Sequence, residues 1–208
     1  MYYVKYITKK EIFMKIKLND ISEIKTGLVL NRKKADMSKD YKLYYSVVSL
    51  KSFNNDAIYD NTFADEFISN EQIKEDYQLK QGDILLRLRE PNFAVYIDKE
   101  YENLIYSSLM VRVKLQDSRF DANFIAHYLN SNTVKKALST EISGTTIPMI
   151  KVADVNEIKI PLINIEKQKK IVEYLKLARK ENELLQNLIN QKQKYSKEIF
   201  ETLALQGE

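Results

Sequence analysis

The sequence predicts an α+β protein, with a mixed sheet-and-helix domain followed by a single long coiled-coil helix. Short aliphatic runs, such as the one at residues 83–88, alternate with helical segments up to about residue 164. Residues 166–205 contain neither glycine nor proline. With 208 residues and 44% hydrophobic side chains, the chain is long enough for one core and such an appendage.

The domain is expected to cover residues 14–164, after an N-terminal extension of residues 1–13. A short strand, KIKL, begins it. Leu18, Ile21 and Ile24 follow at helical spacing, with Asn19 as the expected N-cap. The other predicted elements are strands over residues 42–50, 83–88, 104–115 (with a bend) and 157–161, helices over 70–76 and, in two pieces separated at 130–132, over 120–138, and a turn over 144–148.

A 4-3 spacing of apolar side chains runs along the last segment, residues 165–208. A helix of this length spans roughly 60 Å at ~1.5 Å per residue. Its narrow apolar stripe is typical of a coiled-coil seam, in which two helices cover each other's stripe. A solvated helix packed on its own domain is the alternative. The seam has the polar positions Asn182, Lys192 and Ser196 and the apolar positions Ile171, Leu175, Ala178, Leu185, Ile189, Ile199 and Leu203.

The composition argues against several classes of chemistry. The four glycines, Gly27, Gly82, Gly144 and Gly207, are too far apart for a dinucleotide-binding or phosphate-binding loop. There is no cysteine and only one histidine, His127, so we expect no metal site, no cofactor and no catalytic residue. No apolar run suits a transmembrane helix and the N-terminus lacks a signal-peptide pattern, which favours a cytoplasmic location.

Two stretches resemble a known family, the specificity subunits of type I restriction-modification systems. Residues 158–162, IKIPL, followed by EKQKKIVEYL at residues 166–175, are similar to the junction between that family's target-recognition domain and its conserved helix. Residues 17–27, KLNDISEIKTG, are similar to the opening of its domain, and GDILL at residues 82–86 is a weaker match.

The chain departs from the family pattern in two places. Lys167 is inserted where the family has adjacent Glu and Gln, and Ile163 and Asn164 replace a second proline. A full-length member has two recognition domains and two long helices, whereas this sequence has one of each, so the resemblance is to a half-size subunit. It implies a non-catalytic homodimer in which each domain reads one half of a bipartite DNA site. The helices would set the spacing and dock methyltransferase subunits, and a restriction subunit can join such a complex.

Candidate DNA contacts follow from this resemblance and from side-chain chemistry. Phosphates need positive charge, and base edges need bidentate donors or acceptors. Arg87 and Arg89 are two residues apart on a predicted strand, on the face opposite Ile84, Leu86 and Leu88, and arginine is the commonest reader of guanine. For each candidate, a solvated surface side chain is the alternative. The other candidates lie in an early polar loop or beside the junction turn: Arg32, Lys33, Lys34, Thr145, Thr146 and Lys151.

Three rival interpretations stay open. One is a DNA methyltransferase fragment, because residues 90–93, EPNF, faintly resemble a tetrapeptide of amino-methyltransferases, although a polar turn after a strand is the simpler reading. Titration with S-adenosylmethionine separates it from a binding module. The second is a coiled-coil interaction protein without a DNA role, which a salt-dependent DNA-binding assay separates. The third is a silent recombination cassette, which neighbouring genes for modification and restriction subunits would argue against.

Overall fold

The computed structural model describes residues 14–39, 41–54, 56–139 and 149–205. Within these ranges, strands and short helices share the first part of the chain and a single helix forms the last part. This confirms the predicted α+β class with a long C-terminal helix. The elements in chain order are β1 (Lys15–Lys17), β2 (Ser22–Thr26), β3 (Leu43–Val47), β4 (Asp65–Ser69), β5 (Ile84–Arg87), β6 (Ala94–Tyr96), β7 (Leu104–Ile105), β8 (Met110–Leu115), α1 (Ala122–Leu129), α2 (Asn132–Ser139), α3 (Val152–Asn156), β9 (Lys159–Pro161) and α4 (Ile165–Leu205).

The described strands form three sheets. In the largest, the order is β2-β8-β5-β6, and every neighbouring pair is antiparallel. The second has the order β4-β3-β7, with β3 antiparallel to β4 and parallel to β7. In the third, β1 pairs with β9, so that Lys15 lies opposite Pro161. The beginning and the end of the domain are therefore hydrogen-bonded to each other.

The core draws side chains from the two larger sheets. β5 is covered on both faces, because Ile84, Leu85 and Leu86 are each at most 1% exposed. Burying one such aliphatic side chain contributes about 1.5–3 kcal/mol to folding. One cluster of buried side chains joins both sheets: Val48, Phe53, Tyr59, Leu79, Leu85, Val95, Ile97, Leu104, Tyr106 and Met110.

Most of the longer predicted elements are confirmed. Strands lie at the start of the domain and within residues 42–50, 83–88 and 157–161, and two helices lie within residues 120–139 with a break at 130–131. The predicted bend in residues 104–115 divides that segment into β7 and β8. The long helix covers Ile165–Leu205 and begins at the first residue of the predicted segment, residues 165–208.

The helix predicted from Leu18, with Asn19 as its cap, is wrong. A single 3-10 turn forms over Leu18–Asp20, without a side-chain capping hydrogen bond. The next residues form β2, which pairs with β8 along all five of its positions. This ladder satisfies the backbone polar groups of the segment, and so short a segment gains little from an isolated helix, for which nucleation is costly.

The helix predicted over residues 70–76 is also wrong, since only a 3-10 turn forms there, over Glu75–Tyr77. The sequence did not predict β4, β6 or α3. Each of them has at most five residues, which is too few for a periodic pattern. β6, for example, is a strand because its three residues pair with β5.

The chain divides into two compact units, residues 1–168 and 169–208. At the end of the first unit the side chain of Gln168 is fully buried. Its amide oxygen accepts a hydrogen bond from the backbone N–H of Asp121 at 2.9 Å. Its amide nitrogen donates to the carbonyl oxygens of Arg119 and Ile163 at 2.9 and 2.7 Å. One side chain therefore joins the loop before α1 to the segment that leads into α4.

Helix α4 has 41 residues and spans roughly 60 Å. The first three apolar positions of the predicted seam, Ile171, Leu175 and Ala178, are partly buried. The remaining apolar seam positions are 42–66% exposed in the single chain: Leu185, Ile189, Ile199 and Leu203. Pairing of this seam with a second helix stays a prediction.

A second apolar stripe, Leu177, Leu184 and Leu188, lies beside the seam. These side chains are 65%, 57% and 48% exposed. Each stands one position before a seam residue, which places the second stripe about 100° around the helix from the seam.

None of the described helices is both long and apolar enough to cross a membrane.

The substitution Gln168→Ala is expected to lower the free energy of unfolding of the first unit by roughly 2–5 kcal/mol. The reason is that three backbone groups lose their partner, and each group left buried and unsatisfied costs about 1–3 kcal/mol. Water can replace the partner of the Arg119 carbonyl, because Arg119 is exposed, so the total stays below three full penalties. The control is Gln116→Ala, because Gln116 is exposed, and a surface change of this kind costs within ~0.5 kcal/mol. Urea unfolding followed by tyrosine fluorescence measures both, and equal midpoints would show that the buried amide does not hold this junction.

Candidate nucleic-acid interface

Three connecting segments meet at one end of the four-stranded sheet: the loop after β2, the turn between β5 and β6, and the loop before β8. Because neighbouring strands are antiparallel, β2 and β5 end where β8 and β6 begin. The backbone N–H of Leu28, after β2, donates to Tyr106 O at 3.0 Å. The N–H of Leu88, after β5, donates to Leu109 O at 2.9 Å. The segments that connect these strands therefore lie side by side.

Residues 149–151 join the same end of the sheet. Met149 pairs antiparallel with Arg89, and the N–H of Ile150 donates to Leu88 O at 2.9 Å. Lys151 follows directly and its side chain is exposed. The backbone N–H of Lys151 donates to a carboxylate oxygen of Asp154 at 3.1 Å, which fixes the start of α3. Three of the predicted DNA contacts, Arg87, Arg89 and Lys151, are thus brought together.

The side chain of Arg87 is partly buried and is held by its own turn. Its Nη2 donates to the carbonyl oxygen of Glu90 at 3.0 Å, and Asn92 Nδ2 donates to Arg87 O at 3.2 Å. Arg87 Nε is buried without a partner among the described residues. Burial, and then the positive charge of Arg89, lowers the pKa of Arg87 below its usual value. The guanidinium therefore orders the turn and leaves only part of its donor set exposed.

The sequence placed Arg87 and Arg89 on one face of a strand, but the structure gives them different surroundings. Leu85, on the same side as Arg87, is fully buried, so this is no open sheet face. β5 ends at Arg87, and Arg89 belongs to the turn. Arg89 and the neighbouring Glu90 are both exposed, and neither side chain makes a hydrogen bond or an ion pair with another described residue.

The side chains of α1 and α2 support the other side of this turn. Asn130, which ends α1, accepts from Ala94 N–H at 2.7 Å and donates to Ala94 O at 2.8 Å, so both backbone groups at the start of β6 are satisfied. Lys135 Nζ lies 4.3 Å from the centre of the Phe93 ring. Lys135 is not among the contacts predicted from the sequence. Its position early in a helix gives no signal of proximity to residue 93.

The predicted loop cations Arg32, Lys33 and Lys34 lie beside the three-stranded sheet instead. Lys33 Nζ forms an ion pair with Glu71 at 2.7 Å. The N–H of Ala35 donates to Ile68 O on β4 at 2.8 Å. An exposed ion pair of this kind contributes about 0–1 kcal/mol. The structure therefore separates the candidates into two groups, one at the β5–β6 turn and one beside β4.

Two predicted contacts, Thr145 and Thr146, lie outside the described residues. Residues 90–93, which faintly resemble a methyltransferase tetrapeptide, form the turn between β5 and β6, in agreement with the simpler reading. In the described ranges, there is no group of three or more His, Asp or Glu side chains that could hold a metal ion.

The chain is similar over most of its length to proteins of one family. A profile described as "Type I restriction modification DNA specificity domain" matches residues 10–192. A curated relative, the specificity subunit of the type I restriction enzyme MjaVIII from Methanocaldococcus jannaschii, is 32% identical over 127 residues, which cover 58% of this chain and 28% of that protein. Both descriptions name specificity rather than catalysis, which agrees with the expectation of a chain that is not itself an enzyme.

Solved structures of the same kind share the fold. The HsdS subunit of Thermoanaerobacter tengcongensis superposes with a TM-score of 0.64 at 16% identity, over 86% of this chain and 45% of that chain. The S subunit of the type I system of M. genitalium does so with a TM-score of 0.52 at 18% identity, over 91% and 44%. The chain therefore spans less than half the length of these proteins and about a quarter of the curated relative.

These structural neighbours share the fold of the chain, and identities below 20% support the fold alone. The sequence profile extends from before β1 into α4 and so includes both the domain and the long helix. Because this match covers far more than half of the chain, the protein belongs to the type I restriction modification DNA specificity domain family.

Proposed function

We propose that this chain recognises a DNA sequence within a type I restriction-modification complex, as a non-catalytic specificity subunit. Residues 14–164 form the recognition domain, which reads one half of a bipartite site. Residues 165–208 form the spacer and dimerisation helix, which joins two copies of the chain and docks methyltransferase subunits. A restriction subunit binds to the complete complex. The proposal rests on one observation: this member of the family has both an exposed turn with cationic side chains and an exposed apolar stripe on its long helix.

The recognition half of the proposal rests on the β5–β6 turn. Arg89, Lys151 and Lys135 present positive charge around a turn that hydrogen bonds hold on both sides. In the major groove of DNA, arginine binds guanine O6 and N7 with two donors. Arg32 and Lys34, beside β4, then contact phosphates, and we assign the same role to Thr145 and Thr146, which precede Lys151 in the sequence. Such contacts position the protein and make binding depend on salt.

The dimerisation half rests on the exposed seam of α4. Four large apolar seam residues are 42–66% exposed in the single chain, and apolar surface of this extent on a soluble protein marks an interaction site. Two copies related by a two-fold axis cover both seams with an antiparallel helix pair. The recognition domains then lie apart by a distance on the order of the helix length, roughly 60 Å. The polar seam positions Asn182 and Lys192 fix the register at some cost in stability.

Docking of methyltransferase subunits is assigned to the second stripe. A two-stranded coiled coil needs one seam, yet Leu177, Leu184 and Leu188 add apolar surface about 100° away. In a dimer that covers the seam, this surface stays open for another helix. The second stripe therefore fits a helical partner other than the second copy of the chain.

Replacing Arg89 with alanine is expected to weaken binding to the specific DNA site more than binding to unrelated duplexes. Loss of one bidentate guanine contact costs ~1–3 kcal/mol at a single position of the site. Arg87→Ala is expected to act in the same direction, through loss of order in the turn. Fluorescence anisotropy at several salt concentrations measures the effect.

The matched control for these arginines is Arg119→Ala. Arg119 is 61% exposed and follows the opposite end of β8, so it should change neither affinity nor specificity. A uniform loss across all duplexes would make Arg89 a phosphate contact instead. Absence of any salt-dependent DNA binding by the unmodified chain, with and without a methyltransferase subunit, would favour the interaction protein without a DNA role.

The double substitution Leu185→Asp and Ile189→Asp is expected to convert the dimer to monomers. If the variant formed the dimer, four carboxylates would be buried in the apolar seam, at a cost of several kcal/mol each. Light scattering at micromolar concentration measures the mass. Asn187→Asp with Asn190→Asp is the control, because it adds the same charge on the outer face of α4. A monomeric wild-type chain at high micromolar concentration would contradict a homodimer that forms without partners.

A second pair, Leu177→Asp and Leu184→Asp, tests the second stripe. These changes are expected to leave the mass of the homodimer unchanged but to weaken capture of a co-expressed methyltransferase subunit by at least tenfold, which corresponds to about 1.4 kcal/mol. Co-purification on a tagged chain provides the measurement. Loss of the dimer itself would show that the second stripe belongs to the same interface as the seam.

A further inference from the structure

The tip of the β5–β6 turn presents two neighbouring side chains of opposite charge. Arg89 and Glu90 are exposed, and neither is paired with another described side chain. The other polar residues of the turn are already engaged. Arg87 donates to the carbonyl oxygen of Glu90, and Asn92 donates to Arg87 O. Among the residues that the structure describes at this tip, the Arg89 and Glu90 side chains therefore keep all their hydrogen-bonding atoms available to a ligand.

A carboxylate at this position needs an explanation if the turn approaches DNA. Phosphates repel it, and the desolvation of a carboxylate is costly unless donors replace the lost water. The nearby cations do not neutralise it, since no described cation is paired with Glu90. The major groove offers two amino donors, cytosine N4 and adenine N6, and glutamate accepts from cytosine N4. Because the neighbouring Arg89 fits the O6 and N7 acceptors of guanine, the donor beside it is the N4 amino group of the cytosine paired with that guanine.

We propose that Arg89 and Glu90 together read a G·C base pair in the major groove, with Arg89 on guanine O6 and N7 and Glu90 on cytosine N4. The inference rests on the proposed function and adds the base identity at one position of the half-site. Guanine acceptors and the cytosine donor lie next to each other on the same groove edge. Adjacent residues at a turn tip can therefore contact both halves of one pair.

The backbone of the tip is held in place before any DNA arrives. Arg89 pairs with Met149, and the Glu90 carbonyl is fixed by Arg87. Arg87 is accordingly a positioning residue, which acts through the shape of the turn. Because the backbone is already ordered, less conformational entropy is lost when the two side chains bind.

The alternative role for Glu90 is simple repulsion of phosphate, and it predicts the opposite sign. If Glu90 only repels DNA, Glu90→Gln strengthens binding to every duplex. If Glu90 accepts from cytosine, Glu90→Gln weakens binding to the cognate duplex and leaves the other positions of the site unchanged. The two roles therefore differ in the direction of the change and in its sequence dependence.

The test begins with the full chain, bound to a randomised DNA duplex library, from which the preferred half-site is selected. Each base pair of that half-site is then replaced in turn. Wild type should show one position at which G·C is required, and Glu90→Gln should lower the preference there by about 5- to 150-fold, the range of one good bidentate contact. Arg89→Ala should relax the same position, and Glu102→Gln, an exposed control beyond the other end of β6, should relax none.

Thermal unfolding checks that each variant is folded. A Glu90→Gln chain that binds all duplexes as tightly as wild type or more tightly, with the sequence preference intact, overturns the inference but leaves the proposed function standing. Relaxation of two different positions by Arg89→Ala and Glu90→Gln overturns the shared base pair. If wild type selects no sequence at all, the proposed function fails, and this inference fails with it.

Discussion

The two-sided burial of β5 is the constraint on which the rest of the recognition domain depends. β5 lies between β8 and β6, and its residues Ile84, Leu85 and Leu86 are almost fully buried. A strand with both faces covered cannot present side chains to a ligand along its length. Its ends are accessible, and at the C-terminal end the chain changes from aliphatic residues to Arg87 and Arg89. The core therefore decides where polar function is possible, and the antiparallel pairing decides which other loops share that end.

Local sequence signals predicted the elements whose pattern is long or strongly apolar. The 41-residue helix follows from the absence of glycine and proline, and β5 follows from its aliphatic run. Elements of five residues or fewer depend on the strands with which they pair, and local sequence patterns do not show which distant segments those are. β2 is the clearest case: Leu18 and Ile21 are buried at helical spacing, yet the next five residues form a strand because β8 pairs with them.

The candidate contacts were predictable as residue types but not as distinct roles. Alternation along a strand makes Arg87 and Arg89 equivalent, and charge alone makes Arg32 and Lys151 equivalent. The structure distinguishes them through contacts distant in sequence or set by the turn. The Glu90 carbonyl holds the Arg87 guanidinium, and residues 149–150 pair with 88–89 and bring Lys151 to the turn. Lys135 was missed for the same reason, since its contact with Phe93 bridges more than forty positions of the chain.

The residues at the tip of the turn are not the residues that stabilise the domain, and this affects how sequence specificity can change. The side chains of Arg89 and Glu90 make no hydrogen bond or ion pair with other described residues, so replacing them leaves every described hydrogen bond of the core and of Gln168 intact. Surface changes away from such bonds usually alter stability by no more than ~0.5 kcal/mol. A base contact, by contrast, is worth ~1–3 kcal/mol of discrimination. Substitutions at the tip are therefore able to alter sequence preference at little cost in folding, whereas substitutions at Gln168 or in β5 alter folding before they can alter preference.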